Sequence, residues 1–327
     1  MKCTVCKSNG VKLICKGHPG YIEGTKFDIF QCNKCDTHFI PLKKIYEKIY
    51  EKIYSNKKMP SYRRYYKYSK EIKKQKNPLR FLSDTESSYF PVYNFLKDKS
   101  CLDILEIGCG YGYLTYALNF SGHKATGVDV SKNAIKSALK NFGDFYKNSD
   151  INSFKRKNSK KFDLIIATEL IEHLHNPTKF IGDCLKLLKK NGKIIITTPN
   201  KDYMRKKSFW QTDLPPVHVF WLSHESFKKL SKKHNLKLEF FDFKNYFPNN
   251  WNNLINFFIS RNEKIISPVL MKNEKINPKI IKNNSLLIQK VLKFLLIDVI
   301  LIRNLSNFIH NKFINEYPTL GVVLQRF

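Results

Sequence analysis

The stretch "DILEIGCGYGYLTYAL", residues 103–118, decides how the rest of the chain is read. An apolar segment at 103–107 runs into a turn with glycine at positions 108, 110 and 112, and a helical pattern follows. Glycine lets a backbone turn sharply and approach a ligand closely, while the start of a helix offers free N–H groups. The dinucleotide fingerprint G-x-G-x-x-G would need a third glycine where this chain has Tyr113. The chain has G-x-G-x-G instead, with Glu106 two residues before the first glycine. An acid at that place favours a cationic ligand over a pyrophosphate.

Working outward, apolar strand candidates alternate with helical patterns: "DILEIG", "KATGVDV", "DFYKNSD", "FDLIIAT", "KIIITTP", "KLEFFDF" and "GVVLQRF". This alternation predicts an α/β domain with a largely parallel sheet covered on both faces. The domain is expected over residues 99–248, with residues 317–327 returning as an antiparallel closing strand at the sheet edge. Between them, residues 249–316 are expected to form a helical insertion or cap. Within it, "LLIQKVLKFLLIDVILI" (286–302) is short for a membrane span and is interrupted by Lys290, Lys293 and Asp298. It reads as core or lid packing, or as an amphipathic helix resting on an anionic lipid surface.

Residues 1–40 carry "CTVC" (Cys3, Cys6) and "CNKC" (Cys32, Cys35). Two such knuckles brought together make a tetrahedral four-sulfur site, so a zinc ribbon is expected. With every coordination position filled by protein, its Zn²⁺ is structural. Cys15, His18 and His38 read as bystanders. Residues 41–98 form a helical connector in which "KKIYEKIYEKIY" stacks Ile45, Ile49, Ile53 and Tyr46, Tyr50, Tyr54 along one stripe. The Arg63, Arg64, Tyr65, Tyr66 cluster that follows reads as a solvated face or as a lid over a ligand.

The formal charge of +31 points first to a nucleic-acid binder. However, of 58 basic residues only eight are arginine, the better bidentate phosphate reader. A nucleic-acid partner is therefore the less favoured reading. The N-terminus has no apolar stretch of the secretory type, which predicts a cytoplasmic, reducing location where CxxC pairs bind metal rather than form disulfides.

Over residues 80–248 the chain resembles the class I S-adenosylmethionine-dependent methyltransferases, with their Rossmann-like seven-stranded sheet. The resemblance implies that Glu106, Gly108, Gly110 and Gly112 surround the methionine part of the cofactor. It further implies that Asp129 accepts the ribose hydroxyls and that Asp150 holds the adenine amino group. Bacterial members with an N-terminal zinc ribbon, a Tyr- and Arg-rich connector and a run like "PPVHVFWLSHESF" are closer still. That resemblance implies a modifier of surface glycans or secondary metabolites, without fixing a substrate.

One further run, "TELIEHLHNP" (168–177), follows the fourth strand of the domain. A helix starting near Thr168 would put Glu169, Glu172 and His173 on one face. The E-x-x-E-H spacing is similar to that of ubiquinone-pathway O-methyltransferases and small-RNA 2′-O-methyltransferases. That likeness implies a divalent metal near the acceptor hydroxyl, with His218 as a further ligand and Mg²⁺ or Mn²⁺ as candidates beside Zn²⁺. Metal-free base catalysis by His173 or His218, and a purely structural role, are the alternatives; His175 reads as a turn residue. The expected function is O-methylation of a sugar, glycan or other small-molecule acceptor, with peripheral contact at the inner membrane face through residues 286–302. An RNA 2′-O-methyltransferase and a non-catalytic cofactor-binding protein stand as rivals.

Overall fold

The computed structural model describes residues 1–42, 47–60, 62–203, 213–244, 246, 267–281 and 317–326. The chain opens with β1 (Val11–Pro19), β2 (Lys26–Cys32) and β3 (His38–Phe39), and then α1 (Glu47–Ser55), α2 (Arg63–Glu71), α3 (Pro78–Thr85) and α4 (Phe90–Leu96). The main domain follows as β4 (Asp103–Ile107), α5 (Tyr113–Phe120), β5 (Lys124–Asp129), α6 (Lys132–Phe142), β6 (Tyr146–Asn148) and α7 (Ile151–Lys157). It continues through β7 (Phe162–Thr168), α8 (Pro177–Leu187), β8 (Leu188–Pro199), β9 (Phe220–Trp221), α9 (His224–Lys233), β10 (Leu236–Phe240) and β11 (Thr319–Arg326).

Seven strands form one sheet in the order β10-β11-β8-β7-β4-β5-β6. The alternation of side chains along each strand divides the core in two. Ile104, Leu164, Ile166, Ile195 and Val323 face the layer that holds α2 to α6. Leu105, Ile165, Ala167, Ile194, Ile196, Val322 and Leu324 face the layer of α8 and α9. Strands buried on both faces must be apolar throughout, which is why "FDLIIAT" and "KIIITTP" carry almost no alternation. Local signals set the helix starts: Ser131 accepts from the Ala134 N–H, and Asn176 accepts from the Lys179 N–H ahead of Pro177.

The closing strand β11 runs antiparallel to both neighbours, as expected, but it does not lie at the edge. It is inserted between β8 and β10. Leu320 to Leu324 are buried, so this strand needs cover on both sides, whereas β10 exposes Lys237 and Glu239 and makes the tolerable edge.

The ribbon does not close on itself. β1, β2 and β3 pair antiparallel, and β3 then pairs with β9 of the main domain through His38–Trp221 and Phe39–Phe220. Cys3, Val5, Ile29, Cys35 and Phe39 share a buried cluster with Ile181, Leu222 and Phe227. The apolar run at 286–302 and the stretch "WNNLINFF" lie outside the described residues. Among the described residues no helix is long and apolar enough to cross a membrane.

Candidate active site

The glycine loop leaves β4 with Gly108, Gly110 and Gly112 at φ of 78°, 51° and 80°, the left-handed region that favours glycine. The N–H groups of Gly108 and Cys109 donate to the Val128 carbonyl at 2.8 and 3.1 Å, folding the loop onto the end of β5. Gly112 does not line the cavity; a Cβ there would lie 2.5 Å from Tyr146 Cε1 and 2.7 Å from Ala138 Cβ. Its task is to let the loop pack, and Tyr146 Oη donates to its carbonyl at 2.7 Å.

Asp129 ends β5 almost buried. Its Oδ2 accepts from the Gly110 N–H and its Oδ1 from the Ser131 N–H, each at 2.8 Å. A carboxylate has roughly four lone-pair sites, so this one retains capacity for a ligand. Burial pushes its pKa up. Glu106 is buried on β4, accepts from Thr115 Oγ1, and is pushed up to about 8 by desolvation. Asp150 is exposed at the end of β6, and its Oδ1 caps α7 by accepting from the N–H groups of Asn152 and Ser153 at 2.8 and 3.1 Å.

Beyond β7 the expected helix does not form. Thr168 still pairs with Thr197 in the ladder, and the Glu169 N–H donates to the Thr197 carbonyl at 2.9 Å. The strand thus extends past the predicted helix start. Glu169 then takes a left-handed φ of 49°, and only one 3₁₀ turn, Ile171–His173, follows. Glu169, Glu172 and His173 therefore do not share a helical face. The turn nonetheless brings together Glu172, His173 and, from 44 residues further along at the cavity wall, the loop that carries His218. One potential ligand atom from each of these three lies within 4.8 Å of the others, and Glu169 is outside that group. Its carboxylate lines the same cavity, with Oε1 buried and without a hydrogen-bond partner.

Glu172 is 1% exposed; its Oε2 accepts from Thr198 Oγ1 at 2.9 Å and its Oε1 has no hydrogen-bond partner. Desolvation pushes its pKa up to about 8. The Nδ1–H of His173 donates to the Val217 carbonyl at 2.7 Å. A carbonyl can only accept, so this bond assigns the tautomer and leaves Nε2 with its lone pair, 3.8 Å from Glu172 Oε1. Burial lowers the His173 pKa to about 4, so the ring is neutral near pH 7. The His218 ring meets it edge-on at 4.6 Å, and burial also drives His218 well below the ordinary range. His218 Nδ1 is buried without a hydrogen-bond partner and lies 3.8 Å from Asp213 Oδ1.

The connector forms the remaining wall. Tyr50 Oη donates to the Val217 carbonyl at 3.0 Å, and its ring meets His173 edge-on at 5.7 Å. Tyr54 Oη stands 3.0 Å from where a Cβ on Gly110 would be. The Glu51 carboxylate accepts from Lys132 N, Ser131 Oγ and Asn133 Nδ2. Arg64 Nε donates to both Glu86 oxygens at 3.1 and 3.2 Å, and its Nη2 donates to Tyr65 Oη at 2.7 Å. Of the Arg and Tyr cluster, Arg64 and Tyr65 line the cavity, while Arg63 is exposed. The sequence did not single out Tyr62 or Asp213 as site residues. An acid five positions before His218, across Pro215 and Pro216, was the available signal for Asp213.

These walls enclose one cavity of about 530 Å³ that runs from Asp150, past Glu106, Gly108, Gly110 and Asp129, to Glu172, His173 and His218. Outside the lining of this cavity, the Sγ atoms of Cys3 and Cys35 lie 3.6 Å apart and those of Cys6 and Cys32 3.5 Å apart, with all four sulfurs within 4.8 Å of one another. A disulfide would need about 2.05 Å, whereas a tetrahedron of thiolates around zinc places sulfurs about 3.8 Å apart. The two knuckles repeat one geometry: Lys7 and Asp36 have positive φ, and each N–H donates at 2.9 Å to the carbonyl of the cysteine four residues earlier.

The family described as "Methyltransferase domain" matches residues 70–239. The ubiquinone biosynthesis O-methyltransferase of Coxiella burnetii is 33% identical over 149 residues, which cover 44% of this chain and 60% of that protein. The protein of the same name from Pelagibacter ubique is 33% identical over 196 residues, 54% of this chain and 80% of that one. This chain thus spans less than two thirds of the Coxiella relative's length. A crystal structure of a SAM-dependent methyltransferase from Archaeoglobus fulgidus aligns with a TM-score of 0.44 at 18% identity, over 73% of this chain and 93% of that one. With a family match over half its length, laid on a seven-stranded sheet whose first glycine loop faces the cavity, the chain belongs to the class I S-adenosylmethionine-dependent methyltransferases.

Proposed function

We propose that the protein transfers a methyl group from S-adenosylmethionine to an oxygen of a small-molecule acceptor. The observation that carries this is the single cavity joining the glycine loop to Glu172, His173 and His218. Loop amides and the remaining lone pairs of Asp129 hold the cofactor, Asp129 on the ribose hydroxyls. Glu106 places negative charge near its cationic methionine end, and Asp150 offers its exposed carboxylate to the adenine amino group. The acceptor hydroxyl lies beside His173, whose Nε2 takes its proton as the oxygen attacks the methyl carbon. The O–CH₃ bond forms, the CH₃–S bond breaks with its electrons going to sulfur, and the neutral thioether leaves. A well-placed base contributes about 10²–10⁴-fold, and in-line placement about 7–11 kcal/mol.

The Glu172, His173, His218 group also fits a divalent cation. Two neutral imidazoles and a carboxylate are a ligand set for Zn²⁺ or Mn²⁺, with Mg²⁺ less well served by nitrogen. The buried, unpartnered Glu172 Oε1 and His218 Nδ1 are what such an ion would satisfy. A cation there supplies a lowered pKa for a bound hydroxyl. The four cysteines are assigned a structural Zn²⁺ on their sulfur spacing.

The acceptor pocket is lined by Glu86, Glu169, Glu172 and Asp213 against one arginine, Arg64, itself bonded to Glu86. The one arginine among the described lining residues is thus already engaged and offers a phosphate no ready partner, which disfavours RNA. The relatives' names point to oxygen acceptors in ubiquinone biosynthesis and give no support to a glycan, so the acceptor is stated as a small molecule only. No observation among the described residues bears on a membrane contact.

The test is release of S-adenosylhomocysteine with a panel of small phenols and alcohols, with and without a chelator too weak to strip the cysteines. Turnover abolished by the chelator and restored by Mn²⁺ supports the metal. Turnover indifferent to it leaves His173 as the base. Cofactor binding without turnover on any acceptor would overturn the catalytic reading.

A further inference from the structure

The ribbon and the acceptor half of the cavity are stitched together along one segment, residues 213–226. On the ribbon side the Cys35 carbonyl, inside the second knuckle, accepts from Ser223 Oγ and Ser226 Oγ at 3.1 Å each. Thr37 Oγ1 contacts Ser226 Oγ at 2.7 Å and Cys35 Sγ at 3.1 Å. Strand β3 pairs with β9 immediately beyond, the Ile40 N–H donates to the Val219 carbonyl at 3.1 Å, and the Tyr21 N–H donates to the Pro215 carbonyl. These bonds flank His218 on both sides. On the cavity side the same segment meets the catalytic turn. The Val219 N–H donates to the Glu172 carbonyl at 2.9 Å, and the Val217 carbonyl orients His173.

The cofactor half is built without any of this. Its glycine loop is fixed by Val128, Asp129 and Tyr146 inside the main sheet.

We infer that the four-cysteine ribbon is the scaffold of the acceptor half alone: metal on the cysteines holds residues 213–223, and through them His218 and the carbonyl that orients His173. What that half does rests on the function proposed above. The physical reason is the size of the unit. Three short strands cannot bury enough surface to order themselves, and a small metal-tied unit orders only when its thiolates are drawn onto one ion. Releasing the knuckles frees the Cys35 carbonyl and β3 together, and the segment after Asp213 loses its partners on one side. A metal-depleted protein would therefore bind cofactor and fail to methylate.

Hydrogen–deuterium exchange on the full chain tests this, before and after a strong chelator with a thiol-blocking reagent removes the metal, alongside calorimetric titration of S-adenosylmethionine. The expected result is exchange about tenfold faster or more in peptides spanning 213–223, with peptides spanning 103–130 unchanged. Cofactor affinity should stay within about twofold, and zinc added back after reversal of the block should restore protection. A Thr37→Val, Ser226→Ala double variant keeps all four cysteines. It should retain its zinc and still exchange faster at 213–223. Protection at 213–223 that survives metal removal overturns the inference. So does opening of 103–130 in parallel, or purified full-length protein that carries no metal on its cysteines. Failure of the untreated protein to bind cofactor counts against the proposed function instead, and the exchange pattern still decides the role of the ribbon.

Discussion

His173 and Val217, 44 residues apart in the chain, are joined by a 2.7 Å hydrogen bond from the imidazole Nδ1–H to the backbone carbonyl. The bond fixes which nitrogen of His173 carries its lone pair into the cavity. It also anchors the residue next to His218, so one contact sets both imidazoles. Tyr50 Oη donates to the same carbonyl from the connector.

Substitution at this cluster should act on the chemical step. His173→Ala is expected to lower kcat by about 10²–10⁴-fold, the range for removing a placed proton acceptor, with cofactor affinity changed by less than about twofold. Glu172→Gln should also act on kcat rather than on cofactor binding. Single-turnover kinetics with saturating cofactor checks both, and a variant that merely raised KM for the cofactor would contradict the assignment.

Asp129→Ala should weaken S-adenosylmethionine binding by at least ~1–3 kcal/mol, about five- to 150-fold, because a buried hydrogen-bonding partner is removed from the loop and the ligand together. Calorimetry on the folded variant measures it. Equal affinity for both proteins would remove Asp129 from the cofactor site.

The Glu106 carboxyl supplies a pH dependence whose sign is fixed. Its pKa rises from 4.5 to about 8 through burial, so between those values the folded chain holds a proton that the unfolded chain has released. This contribution to stability is fully present below pH 4.5 and is lost as pH rises to about 8. Glu106→Gln should flatten that slope in urea denaturation of the cofactor-free protein. Cofactor cations favour the ionised carboxylate, so affinity should rise with pH up to about 8 in the native protein and lose that rise in the variant. Affinity independent of pH over this window would contradict it.

Gly112→Ala should destabilise the fold by at least about 2 kcal/mol, since a left-handed backbone and an overlap with Tyr146 and Ala138 add together. Gly122→Ala is the control. It has a similar φ of 85° but nothing within 4 Å of the new Cβ, so its cost should be the backbone part only. Equal losses for the two variants would show that packing at Gly112 contributes nothing.

The sequence by itself determined what is local and periodic. Strands such as "FDLIIAT" were legible because burial on both faces forces an unbroken apolar run, and the glycine loop because spacing and backbone freedom are properties of neighbouring residues. The two CxxC pairs were legible as a candidate four-sulfur site for the same reason, and the fold brings the four sulfurs within 4.8 Å of one another. The tertiary structure alone decided what depends on residues far apart. It placed β11 inside the sheet rather than at its edge, because pairing partners 82 to 132 positions away in the chain choose the slot. It extended β7 through the Glu169 N–H to Thr197, which replaced the expected helix with a single turn and left Glu169 outside the Glu172, His173, His218 group. It gave the ribbon its fourth strand from Phe220 and Trp221, and it turned Tyr50 from a packing stripe into a partner of the Val217 carbonyl. Such contacts form because burial demands a partner for every backbone and side-chain polar group, and which partner is available is known only once the chain has closed.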